Sequence, residues 1–199
     1  MENKSDIEIL KGFAKSTNRT IISKEQLYPR TGIQCTQKYK RMVCIPNNPE
    51  KTSFFIWFND PYSKIGQQVI FSGAFIPISS RIKSKLYIRN SFFLDKLNFF
   101  SKAIKLGNRH FDSSVTISGD MDAESKRLLS HSKIQNQILK ALEIESHICV
   151  SINEFNLDFV PELGQSSTLS IINRHGWDID KNSIEKIFSR IEKIKNIID

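Results

Sequence analysis

The chain has 199 residues, a formal charge of +8, 39% apolar side chains and only 8 Gly and 6 Pro. That length buries a full hydrophobic core, and the composition excludes a disordered, collagen-like or disulfide-framework chain. Acidic residues (Glu2, Asp6 and Glu8) fall within the first fifteen positions, where a secretory leader is apolar, and no apolar stretch reaches the ~18–20 residues that span a bilayer.

The chain therefore reads as one cytoplasmic domain over residues 1–199, its three cysteines (Cys35, Cys44 and Cys149) reduced. Ile7, Leu10 and Ala14 predict a helix over Asp6 to Ser16. From Gly32 to Ile45 the pattern turns to β, and Pro46-Asn47-Asn48-Pro49 predicts a turn into a strand over Thr52 to Phe58. That strand is apolar at every alternate position on both faces, so it belongs at the centre of a sheet covered on both sides. Asn59-Asp60-Pro61 predicts a second turn, followed by strands over Gln68 to Ile76 and Ile82 to Arg89, which completes an antiparallel meander of about four strands. Phe93, Leu97, Phe100 and Ile104 give Ser91 to Ile104 one apolar helical face.

The second half predicts a strand over Ser114 to Ser118 and helices over Met121 to Leu129 and Ser132 to Glu143. Strands near His147 to Ile152, Asn156 to Val160 and Thr168 to Asn173 follow. The last helix is defined by the stripe Ile184, Ile187, Phe188, Ile191, Ile194 and Ile198, with Asn182 and Glu185 spaced as a capping box. The expected fold is α+β: a mainly antiparallel sheet meander with flanking helices and a C-terminal amphipathic helix. Leu106 to Asn108 is the one candidate boundary between a meander half (1–105) and a strand-helix-helix-strand half (106–199).

Leu106-Gly107-Asn108-Arg109-His110-Phe111-Asp112, with Val115 to Ser118, Asp122-Ala123-Glu124 and Arg127-Leu128-Leu129, resembles a family of uncharacterised bacterial soluble domains found behind membrane helices. The resemblance covers about residues 106–159 and implies a soluble cytoplasmic domain, without an activity to carry over. Independently of it, Phe111 is placed to plug the core at a strand entrance, Asp112 to form a turn, and Asp120 or Asp122 to cap the helix carrying Leu128 and Leu129.

No phosphate-cradling glycine loop and no zinc-ligand spacing occurs, and His147 with Cys149 makes only a two-ligand pair. The acids Asp120, Asp122, Glu124, Glu143 and Glu145 stand at helix ends, where capping and the helix dipole account for them. No catalytic residue, metal or cofactor is therefore assigned. The informative polar pattern is basic: Arg81, Lys83, Lys85 and Arg89, with Tyr87 in phase, alternate with Ile82, Ser84, Leu86 and Ile88. Lys38 and Lys40 share a strand face, with Arg41 beside them, so the two strands offer a surface for phosphates. The Phe-rich 91–104 helix, flanked by Lys96, Lys102 and Lys105, reads as core more readily than as a peripheral membrane contact.

These readings lead first to a non-enzymatic binding or regulatory module. It engages a protein partner, or a second copy, in a bacterial cytoplasmic assembly of a defence-related or envelope-associated kind. The alternatives are nucleic-acid binding through the basic face and an enzyme whose site is assembled from distant residues.

Overall fold

The computed structural model describes residues 5–28, 38–64, 67–79, 81–92, 104–174 and 180–199. The fold is α+β, built on one eight-stranded antiparallel sheet in the order β1-β2-β3-β4-β8-β7-β5-β6. Its strands are β1 (Ile22–Leu27), β2 (Tyr39–Pro46), β3 (Phe54–Lys64), β4 (Gln67–Ile78), β5 (Leu86–Asn90), β6 (Val115–Gly119), β7 (Ile148–Ile152) and β8 (Ser167–Asn173). The helices are α1 (Asp6–Ser16), α2 (Arg109–Ser114), α3 (Ala123–Leu129), α4 (Ser132–Leu142), α5 (Pro161–Gly164) and α6 (Lys181–Ile198).

Period-two alternation along the central strands divides the core into two layers. Val43, Ile45, Phe55, Trp57, Ile76, Ile88, Val150 and Ile171 face α1, α4 and α6. On the opposite face lie Met42, Cys44, Phe54, Ile56, Phe58, Phe71, Phe75 and Ile172, covered by Leu157, Val160 and Leu163 from the β7–β8 connection. Thus β3 is central and covered on both sides, as its doubly apolar sequence requires. The α6 stripe is buried as far as Ile194, with Ile184, Ile187, Ile191 and Ile194 at 0% exposure, while Ile198 at its end is half-buried. Every Ile in such a position contributes about 1.5–3 kcal/mol by leaving water.

The structure departs from the sequence reading at several points. Strand β1, short and exposed at every position, carries no apolar alternation by which it could be foreseen. Asn59, Asp60 and Pro61 make no turn: β3 runs on to Lys64, and a register shift between Asp60 and Lys64 accommodates the proline, which lacks an N–H. The four-strand meander is β1 to β4. The segment expected to close it pairs instead with β6 and β7, while β4 pairs with β8, so strands of both halves of the chain interleave in one sheet.

Asn156 to Val160 is irregular chain laid across the sheet, not a strand. Its alternation arises because an extended segment resting on an apolar face alternates burial without any ladder. Of the 82–89 run only Leu86 to Arg89 is paired as strand, as part of β5. The α6 cap is Asp180, whose Oδ1 accepts from the N–H groups of Asn182 and Ser183 at 3.0 Å each, two residues ahead of the expected Asn182. The Gly32 to Gln37 part of the first β prediction, Cys35, and the core of the 91–104 helix lie outside the described residues.

The stretch from Leu106 to Leu129 contains the short helix α2, which the sequence reading did not place, and agrees with that reading at Phe111 and Asp122. Phe111 is wholly buried. Both Asp112 carboxylate oxygens accept from the N–H groups of Leu106 and Gly107 at 2.9 Å. Asp122 caps α3 by accepting from the Ser125 N–H at 2.7 Å. No helix among the described residues is long and apolar enough to cross a membrane.

Candidate functional site

The sheet face carrying the second core layer is only partly roofed. Beside the β7–β8 connection it leaves a groove of about 650 Å³, lined from β2 by Lys40, from β3 by Phe58 and Asp60, and from β4 by Val69 and Phe71. Lys85, ahead of β5, Glu154, Phe155, Asn156, Asp158 and Phe159 of the β7–β8 connection, and Arg174 after β8 complete it. The volume falls in the range of ligand-sized clefts.

Phenylalanines form the floor because alternate positions of β3 and β4 face this side and the roofing loop adds two more. Phe58 stacks on Phe71 at 5.1 Å and on Phe159 at 5.7 Å between ring centroids. Phe155 lies 4.1 Å from Phe71 and 6.0 Å from Phe75. Phe155 and Phe159 are only half-buried, so part of this aromatic surface is open to an incoming group.

Charges of both signs surround the floor. The Asp60 side chain, 4% exposed, is bound by the Lys40 ammonium at 3.2 Å and accepts from the Tyr28 hydroxyl at 2.7 Å. Burial, reinforced by that hydrogen bond, pushes the Tyr28 phenol up to about 12. Arg174 pairs with Glu154 at 3.4 Å and lies over the rings of Tyr87 at 5.4 Å and Phe155 at 5.9 Å. Lys40 sits 5.5 Å from the Phe58 ring centre. Lys85 and Asp158 have no ion-pair partner among the described residues. The three cations Lys40, Lys85 and Arg174 therefore face the three carboxylates Asp60, Glu154 and Asp158, and the groove is formally neutral in a chain of charge +8.

Of the basic residues singled out in the sequence, only Lys40 and Lys85 reach this groove. Arg81, Lys83 and Lys85 are all exposed and alternate with buried Ile82 and Ser84. Side chains take the place of a ladder in holding that segment extended. The Asp122 carboxylate accepts from the N–H groups of Lys83 at 2.7 Å and Ser84 at 3.1 Å. The Asn153 amide donates to the carbonyls of Ile82 at 2.8 Å and Ser84 at 3.1 Å. Arg89 donates to the Asn90 carbonyl at 3.0 Å and covers the Phe92 ring at 5.0 Å. Arg41 points to the opposite face from Lys40, pairing with Glu25 and lying 5.0 Å from the Tyr39 ring. The Lys38 carbonyl accepts from the Tyr28 N–H at 3.0 Å, just ahead of β2. The seven cations thus do not assemble into one surface.

The groove's other members, Asp60, Glu154, Asp158 and Arg174, were not readable as a site, because they come from separate connections that only the tertiary fold brings together. The two described thiols, Cys44 and Cys149, are both buried. Burial, with Glu162 nearby, pushes Cys44 up to about 12, and burial pushes Cys149 up to about 11. No three His, Cys, Asp or Glu side chains among the described residues converge as a metal site.

The fold and the groove define the chain as an α+β protein with an aromatic-floored, charge-balanced cleft on the loop-roofed face of its sheet. No protein-family model, curated protein or solved structure matches it.

Proposed function

We propose that this chain is a non-enzymatic binding module for a protein partner, working through the groove in a cytoplasmic assembly. The observation that supports it is the balance of three cations and three carboxylates around half-exposed phenylalanines. Mixed charge around an apolar centre matches the make-up of protein interfaces, with their aromatic and Arg anchors and polar rim. The test is a photo-crosslinking amino acid at position 85, compared with one at the exposed position 126 on α3, in living cells. A nuclease-resistant protein adduct at 85 and none at 126 is expected; equal adducts at both, or none at either, would refute the reading.

A second reading rests on a separate observation, the exposed Arg81, Lys83 and Lys85 projecting from one side of an extended segment. On that reading nucleic acid binds there. Affinity then falls steeply with salt, and a Lys83→Glu, Lys85→Glu double change flattens the slope. Failure of several DNA and RNA probes to shift with micromolar protein at about 50 mM salt would remove this reading.

A further inference from the structure

Resting on the binding-module reading, we infer that the groove takes an extended peptide in which an apolar side chain stands between an acidic and a basic residue. The first argument is shape. The groove reaches from Lys40 on β2 to Lys85 at the start of β5, and those strands are five places apart in the sheet. At strand spacing that is roughly 24 Å, the length of about seven residues of extended chain.

The second argument is charge. Lys40 and Asp60 satisfy each other, as do Arg174 and Glu154. That leaves Lys85 and Asp158 as the groove's charges without an ion-pair partner, one of each sign. An occupant that complements both carries an acid for Lys85 and a base for Asp158. The open rings of Phe155 and Phe159, next to Phe58 and Phe71, offer an apolar side chain its seat between them. A polynucleotide fits this set poorly, because its phosphates would run past Asp60, Glu154 and Asp158.

The test pans a displayed library of random heptapeptides against the full chain and against its Lys85→Glu and Asp158→Lys variants. Both residues are exposed, and circular dichroism of each variant serves as the check that it folds. Enriched peptides should carry an acid and a base around an apolar or aromatic residue. Their affinity should fall at least ten-fold on Lys85→Glu and recover on that variant when the peptide acid is replaced by Lys. Enrichment of no peptide, of peptides insensitive to either variant, or displacement of the peptides by oligothymidine at 150 mM salt would overturn the inference. Protein adducts at position 85 alongside a failed selection would retire the peptide and leave the binding module standing, whereas absent adducts would retire both.

Discussion

Gly73 in β4 lies where the backbone of β8 comes closest: a methyl group there would sit 2.2 Å from the Ile171 carbonyl oxygen and 2.6 Å from the Ile172 Cα. Neither contact is with a side-chain tip that can rotate away, so the strands must separate. Gly73→Ala should cost about 3 kcal/mol or more. Gly12, exposed in α1 with nothing within 4 Å, makes the opposite case, and Gly12→Ala should stabilise by about 0.5–1 kcal/mol. Urea unfolding midpoints of the two variants decide both. Asp122 is the residue whose charge matters most locally. Hydrogen bonds from Ser125, Lys83 and Ser84 hold its carboxyl well below the usual carboxylate range. A depressed folded-state value means that its contribution is complete above the unfolded value near 3.9 and is lost as pH falls below it. The stability gap between wild type and Asp122→Asn should therefore be widest above about pH 5 and narrow steadily toward pH 2; a constant gap would show that the charge plays no part.

At the scale of elements, α6 is fastened to the sheet in two ways. Its Ile stripe is buried, and its polar side reaches the β2–β3 turn. Glu192 accepts from Asn47 at 3.1 Å, from the Thr52 hydroxyl at 2.7 Å and from the Ser53 hydroxyl, and Ser53 is 0% exposed. Glu185 receives the Arg19 guanidinium, which also donates to the Asn47 carbonyl at 2.9 Å. Removing the Glu192 carboxylate strands a buried hydroxyl, so Glu192→Ala should cost about 1–3 kcal/mol. Ile191→Asp, which puts a charge into the core, should cost on the order of 3 kcal/mol or more. Thermal melts that do not distinguish Ile191→Asp from wild type would contradict the packing.

The free edge strand β1 has its own logic. A two-fold antiparallel pairing of two β1 strands that overlaps most of their length sets either Lys24 against Lys24 or Glu25 against Glu25 on the axis. Like charges directly opposite disfavour such a dimer, which is how edge strands avoid joining each other.

The molecule as a whole should be labile in alkali. Cys44 is pushed up to about 12, Cys149 to about 11, and Tyr28 and Tyr87 each to about 12, burial being the leading cause in every case. Unfolded thiols release their protons near 8.5 and tyrosines near 10. Above those values the unfolded chain binds fewer protons than the native one, so stability falls as pH rises. The urea midpoint should decline from about pH 8.5 upward, and a Cys44→Ala, Cys149→Ala variant should flatten the first part of that decline. A midpoint level up to about pH 10.5 would rule out the shielding.

What the sequence determined by itself was whatever depends on local periodicity. The α6 stripe, the doubly apolar β3, the α1 and α4 helices and the α+β class all follow from spacings of two or 3.6 residues, which burial enforces wherever they occur; the choice of Asp122 over Asp120 as the α3 cap came from the structure. Tertiary structure decided the rest. Alternation in 82–85 and 155–160 marks extended chain against an apolar surface, and only the fold determines whether a neighbour's backbone or an Asp122 or Asn153 side chain satisfies it. Exposed β1 has no pattern of its own and exists because β2 offers it a ladder. The groove is the extreme case: Lys40, Asp60, Lys85, Asp158 and Arg174 are scattered across 135 positions of sequence, and their meeting depends on a strand order that puts β8 and β7 between β4 and β5. Strand order is set by which pairings bury both core layers at once, a property of the whole chain that no local window contains.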